Sequence, residues 1–162
     1  MHPAAADYVN RFRSDTKLKI VDVGSLDING SCRSMFPNAA YHGIDLVAGR
    51  GVDEVADATT WKPKSLVDMV VCCEMLEHTP VWPTVIARSY GWLRKGGRLV
   101  VTAAGPGRVP HSAVDGGPIR DGEFYENIDP DELETAFMDA GYESVEIEVV
   151  GPDVRGTGVK RG

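Results

Sequence analysis

The chain has 162 residues, enough to bury the core of one domain and too few for two ordinary ones. With 43% apolar and 25% charged residues it reads as globular rather than disordered or membrane-embedded. Its net charge of −7 disfavours a nucleic-acid backbone as the main partner, because phosphate binding relies on clustered Lys and Arg.

In chain order, Ala5, Tyr8, Val9 and Phe12 share one helical face, with Pro3 in the first turn. Two strand-like runs come next, "LKIVDVG" and "AYHGIDL". Between them Ser31 is placed to cap a short helix bearing Cys32, Met35 and Phe36, which Pro37 stops. "GVDEVAD" reads as a short third strand, and "VDMVVCC" as a fourth covered on both faces. Trp82, Val85, Ile86, Tyr90 and Leu93 recur at helical spacing, with Gly96-Gly97 as the stop. "RLVVTAA" is a fifth strand. "DPDELETAFMDAG" is a helix with Asp129 as cap, Pro130 first and Gly141 last. "SVEIEVV" alternates, so Val145, Ile147 and Val149 are expected to face inward, and "VRGTGVKR" returns as an antiparallel strand.

Alternating strands and helices give one α/β domain over 1–162, a Rossmann-like, doubly wound and mostly parallel sheet ending in an antiparallel hairpin. Residues 104–128 are too long for an ordinary strand-to-helix connection, which points to a binding loop or lid. Cys32, Cys72 and Cys73 have no metal spacing and no disulfide framework, so reduced thiols are expected. No apolar stretch approaches membrane-spanning length and the opening residues lack a signal-peptide core, so the expected location is cytoplasmic, with no membrane partner. Monomer and homodimer both stay open.

In an open parallel sheet, ligands bind beyond the carboxyl ends of the strands, where strand order reverses. The residues there are Asp22, Gly24, Ser25, Asn29 and Gly30 after the first strand, Asp45 after the second, Asp57 after the third and Glu74 to His78 after the fourth. Asp45 lies 21 positions beyond Gly24, the distance at which a carboxylate reaches a ribose. Asp57, followed by Ala58, is placed to accept from an adenine amino group.

In these segments the sequence resembles the class I S-adenosylmethionine-dependent methyltransferases, over nearly its whole length. "VDVGSLDINGS" is similar to that family's first motif, "YHGIDL" to its acidic second and "VADAT" to its third. "VDMVVCCEMLEH" resembles the fourth motif, and "LRKGGRLVVTAAGPG" the segment after it. The resemblance implies S-adenosyl-L-methionine as cofactor and S-adenosyl-L-homocysteine as product. It places Asp22 and Gly24 along the methionine part, Asp45 at the ribose, Asp57 at the adenine and Glu74 to His78, with Met75, beside the methyl group, and Ser25, Asn29, Gly30, Leu46, Ala58 and Cys73 are further cofactor-binding candidates. The first motif departs from the usual alternate glycines, since Ser25 to Ile28 intervene before Asn29-Gly30. A dinucleotide's pyrophosphate needs close-set glycines. The donor implied here has no phosphate, so the spacing argues against an NAD-linked oxidoreductase. A catalytically silent cofactor-binding protein would carry the same residues.

The expected reaction is in-line methyl transfer to an oxygen or nitrogen of a small-molecule acceptor. No nucleic acid is expected, for want of a "PPY"-type segment, a Pro-Cys nucleophile or a basic stripe. His78 is a candidate base or polar wall, with helix capping as the alternative, and His111 on the long loop is a second candidate. Glu77 reads as a solvated carboxylate or a cap, with ordering of the site as the alternative. No metal cluster is expected, because Asp45, Asp57 and Glu74 already have cofactor-facing roles. His2 and His42 carry no functional argument.

Overall fold

The computed structural model describes residues 3–162, and His2 lies outside them. Seven strands form one sheet: β1 (Lys19–Val23), β2 (Ala40–Asp45), β3 (Glu54–Val55), β4 (Val67–Cys73), β5 (Leu93–Ala104), β6 (Tyr142–Val150) and β7 (Asp153–Lys160). Their order is β3-β2-β1-β4-β5-β7-β6. The first five are mutually parallel, and β7 runs antiparallel to both β5 and β6. Strand order reverses between β1 and β4, so the sheet opens a crevice at their carboxyl ends.

Pleating sorts the residues into two layers. Val21 and Val23 of β1 join a core made with Val85 and Ile86 of α2 (Trp82–Trp92) and Leu133 and Phe137 of α3 (Pro130–Ala140). On the opposite face Ile20 meets Tyr8 and Val9 of α1 (Pro3–Asn10), with Cys32 and Phe36 from a 3-10 turn at Cys32–Met35. That turn is capped as its sequence suggests, the Ser31 hydroxyl accepting from the Arg33 amide. Asp129 caps α3 by accepting from the amides of Asp131 and Glu132, and Gly141 ends it at φ 94°. Phe137 is wholly buried, a burial that contributes about 1.5–3 kcal/mol. Gly158 of β7 makes room for it, since a Cβ there would sit 2.8 Å from the Phe137 ring.

Three expectations need correction. The run Gly51–Asp57 forms a strand only over Glu54–Val55, at the sheet edge, with the flanking Asp53 and Ala56 amides donating to the Gly43 and Asp45 carbonyls of β2. α2 ends at Trp92 rather than at the glycine pair, because Leu93 is already extended and pairs with Val67 of β4. Val149 is 51% exposed rather than inward. The β6–β7 register shifts between Glu143 and Glu146, with Ser144 at φ 50°, and β6 is an edge strand with a single neighbour.

Candidate active site

A cavity of about 1100 Å³ opens at the carboxyl ends of β1, β2 and β4. Gly24, Asn29, Asp45, Leu46, Asp57, Ala58, Cys73, Glu74, Met75, His78 and His111, all singled out in the sequence, line it. Asp45 is held by its own loops: Oδ2 accepts from the Leu26 amide and Oδ1 from the Val47 amide, both at 3.1 Å. Asp57 accepts at Oδ1 from the Thr59 amide (2.8 Å) and hydroxyl (2.7 Å), bonds that hold its carboxyl below the usual range. Each carboxylate keeps acceptor capacity for a ligand.

Asp22, Ser25 and Gly30 are placed differently. They open on a hollow of about 30 Å³ beside the main cavity, sharing Gly24, Leu26 and Cys73 with it. The pleat explains this, because Asp22 points to the α1 face with Ile20 while Val23 points the other way. Its Oδ2 accepts from the Tyr41 hydroxyl at 2.7 Å, and burial pushes its carboxyl up to about 7. Three strand-tip acids therefore do not converge on one hollow: Asp45 and Asp57 do, and Asp22 lies next door.

The long first turn is braced by the loop after β2. Asp27 receives the Arg50 guanidinium at 3.0 Å, and its amide donates to the Arg50 carbonyl at 2.8 Å. Leu26 lies over Gly49, where a Cβ would come within 2.3 Å of its Cδ1. Gly24 sits at φ 76°, and a Cβ there would lie 2.6 Å from Met75 Cγ. The missing glycines of the first motif are thus supplied in part from the neighbouring loop, a pairing that single-motif reading does not reveal.

The far end of the cavity is built by the 105–128 loop, whose residues 108–114 and 116–118 line it. The loop is pinned at both ends. The Gly105 amide donates to the Pro152 carbonyl and the Ile128 amide to the Ala104 carbonyl, both at 2.8 Å. Arg108 pairs with buried Asp153 and lies 3.9 Å from Glu74. Glu74 itself adopts φ 55°, a strained position for a non-glycine residue at a site. The loop brings His111 within a 5.0 Å ring separation of His78, and Tyr125 within 5.5 and 5.1 Å of the two imidazoles.

Glu77 is wholly buried beneath them, not the solvated carboxylate or simple cap expected. Its Oε1 accepts from the Ala104 amide at 3.2 Å, and burial with the neighbouring Glu74 charge pushes its carboxyl up to about 8. Burial also lowers the His78 imidazole. One ligand atom each from Glu77, His78 and His111 lies within 4.8 Å of the others, a grouping that sequence reading did not bring together. The spacing of Glu77-His78 carried a signal, but its partner His111 is remote in sequence. Arg108 was likewise missed. His42, by contrast, meets Glu54 at 3.0 Å and stacks on Trp61, a structural role.

Ile28, Leu46, Val47, Val81, Val109 and Val114 are exposed apolar residues that rim this one cavity. Such clustering marks a place where a partly apolar ligand sits. Residues 1–147 match the family model of a methyltransferase domain. This chain belongs to that methyltransferase family. No curated protein matches the sequence. Among solved structures the methyltransferase is similar to Burkholderia thailandensis 1,6-didemethyltoxoflavin-N1-methyltransferase, bound to 1,6-didemethyltoxoflavin and S-adenosylhomocysteine. The TM-score is 0.72 at 17% identity, covering 99% of this chain and 78% of that one. It is also similar to phosphoethanolamine N-methyltransferase 2 of Haemonchus contortus in complex with S-adenosyl-L-methionine, with a TM-score of 0.74, 15% identity and coverage of 98% and 52%. A third is the DhpI complex with S-adenosylhomocysteine, at 0.72, 18%, 98% and 84%. The chain thus spans about half the length of the Haemonchus protein, and the likeness is one of fold. Among the described residues no helix of the methyltransferase is long and apolar enough to cross a membrane.

Proposed function

We propose that the methyltransferase binds S-adenosyl-L-methionine at the Asp45–Asp57 end of the cavity and methylates an oxygen or nitrogen of a small-molecule acceptor at the loop end. The observation that carries this is the single cavity shared by both groups of residues, with strand-tip carboxylates at one end and the His78–His111 pair at the other. The residues fit the cofactor. Asp45 offers acceptors to two ribose hydroxyls, Asp57 Oδ2 offers one to an adenine amine, and the apolar rim at Leu46 and Val47 suits a flat base. Gly24 leaves space that any Cβ would fill.

Bound S-adenosyl-L-methionine supplies a sulfonium methyl group, displaced in line by an acceptor lone pair, with S-adenosyl-L-homocysteine left neutral. The protein's own contribution is placement, which supplies on the order of 7–11 kcal/mol in favourable systems. The 105–128 loop covers the acceptor and excludes water. His78 and His111 face the acceptor, and with its lowered pKa the neutral His78 imidazole holds a lone pair ready for a proton.

Thermal shift tests the cofactor reading. Ligand at about 100 times its dissociation constant stabilises by roughly 2.7 kcal/mol. S-adenosyl-L-methionine and S-adenosyl-L-homocysteine are expected to raise the melting temperature and NAD to leave it unchanged. A shift with NAD alone would reverse the assignment. A panel of hydroxyl and amine acceptors then tests turnover, and binding with no turnover on any would mark a silent cofactor-binding protein.

A further inference from the structure

We propose that Glu77, His78 and His111 form a binding site for one divalent first-row transition-metal ion at the acceptor end of the cavity. Their donor atoms lie within 4.8 Å of one another, on two segments that only the fold brings together. Each side chain is already oriented. His111 Nδ1 donates to the Val109 carbonyl at 3.2 Å, which fixes the tautomer and leaves Nε2 with its lone pair, as a backbone carbonyl does for a metal-bound imidazole. Glu77 is wholly buried, and with Oε1 on the Ala104 amide its Oε2 has no hydrogen-bond partner among the described residues. His78 Nδ1 is buried and equally without one. Two buried polar atoms with no partner at one place cost several kcal/mol unless something satisfies them. A cation facing three lone-pair donors satisfies both.

The donor set selects the ion. Two imidazoles and one carboxylate suit Zn2+, Co2+, Ni2+ or Fe2+, whereas Mg2+ and Ca2+ prefer all-oxygen sites. Donors around such an ion at roughly 2.0–2.2 Å stand about 3–3.5 Å apart, so the side chains draw in by about an ångström on loading. His111 is only half-buried, on the loop, and supplies that movement. Three protein ligands leave a position open, and His78 and His111 both face the cavity. The inference deepens the methyl-transfer reading and rests on it for one step alone. An acceptor hydroxyl whose oxygen takes the open position loses its proton more readily, which narrows the acceptor class to hydroxyl compounds. The proton goes to solvent, because on loading the His78 and His111 lone pairs are held by the ion and no longer serve as bases.

The test uses the untagged full chain, freed of metal by chelator dialysis, with neither cofactor nor acceptor present. Titration with Co2+ is expected to give a visible d–d band that saturates at one equivalent and is displaced by Zn2+ but not by Mg2+. His111→Ala and Glu77→Gln are each expected to weaken Co2+ binding at least tenfold. Both should keep their thermal shift with S-adenosyl-L-homocysteine, which shows that they fold. Less than one equivalent bound, or unchanged affinity in both variants, overturns the site. If Co2+ binds as expected while no adenosyl ligand shifts the melting temperature, the metal site stands and the methyltransferase reading fails. If the shifts and turnover are present without metal binding, the metal inference alone fails.

Discussion

Asp45 and Asp57, at the rim of the cavity, and Asp22 and Glu77, beneath it, are carboxyl groups near strand ends in two different surroundings. The rim pair is surrounded by donors from its own loops: Leu26 and Val47 amides for Asp45, the Thr59 amide and hydroxyl for Asp57. The buried pair has few. Asp22 receives the Tyr41 hydroxyl and Glu77 the Ala104 amide, and burial raises their carboxyls to about 7 and about 8. The Asp57 carboxyl is thus held low where its loop turns N–H groups towards it, and those of Asp22 and Glu77 are held high where the fold buries them with few such donors. Position in a motif does not decide which. The direction of one Cβ does.

The largest expected effect sets Asp22 apart from the rim acids. Its folded pKa is raised, so between about pH 4 and pH 7 the native state binds more protons than the unfolded chain, and stability falls as pH rises through that window. Below it both states are protonated and nothing is lost, whereas above it the penalty is complete. At 1.36 kcal/mol per unit this amounts to as much as about 4 kcal/mol. Asp22→Asn keeps an acceptor for Tyr41 and removes the titration. Urea unfolding at pH 5 and pH 8 should show the variant losing less stability than the parent, by up to about 2.7 kcal/mol, because this pair of pH values spans about two units of the window. Parallel losses would place Asp22 with the rim acids after all.

Next in size is the division between the two ends of the cavity. Replacing Arg108 to Glu123 by a glycine–serine linker should cut turnover at least about 100-fold, the scale of a misplaced acceptor, while the adenosyl thermal shift survives. Full turnover would remove the loop from acceptor binding. Asp45→Ala should do the reverse: two lost charge-assisted hydrogen bonds cost at least about 2 kcal/mol, or roughly thirtyfold in the Kd for S-adenosyl-L-homocysteine by calorimetry. An unchanged Kd would shift the ribose site elsewhere.

The rim was legible because its determinants are local. Asp45 ends β2 and Asp57 follows β3 by two residues, and each is bonded by a residue two positions on, Val47 and Thr59. The helix after Asp129 announced its cap and its terminal glycine in the same way. The hollow beneath was not legible. Asp22 belongs to a recognisable motif, but its neighbours Tyr41 and Cys73 come from other strands, and which face it takes depends on pleat phase. Glu77 looked like a surface acid because the loop that buries it returns 49 positions later, its Glu126 amide donating to the Glu77 carbonyl at 2.9 Å. The need for glycines in β7 was equally illegible, since it comes from packed side chains remote in sequence: Ile147 and Phe137 against Gly156, and Phe137 and Tyr142 against Gly158.

Gly24 borders both hollows, and its substitution measures how stiff the wall between them is. Alanine there meets two penalties. One is conformational, because φ is 76°. The other is steric, because its Cβ would lie 2.7 Å from Met75 Cβ, an atom that no rotation of the Met75 side chain can move. Gly151, in the turn between β6 and β7, has φ 61° and nothing within 4 Å of its Cβ position, so Gly151→Ala carries the conformational penalty alone. Gly24→Ala is expected to cost about 1–2 kcal/mol, a fall of roughly 2–8 °C in melting temperature, and Gly151→Ala about half that. Relief of the clash requires the Met75–His78 turn to shift, and Gly24 and Met75 both line the cavity in which the adenosyl ligand is proposed to sit. Adenosyl affinity should therefore fall in the Gly24 variant and hold in the Gly151 variant. Equal losses of melting temperature in the two would mean that the wall yields without cost, and the two hollows would then act as one.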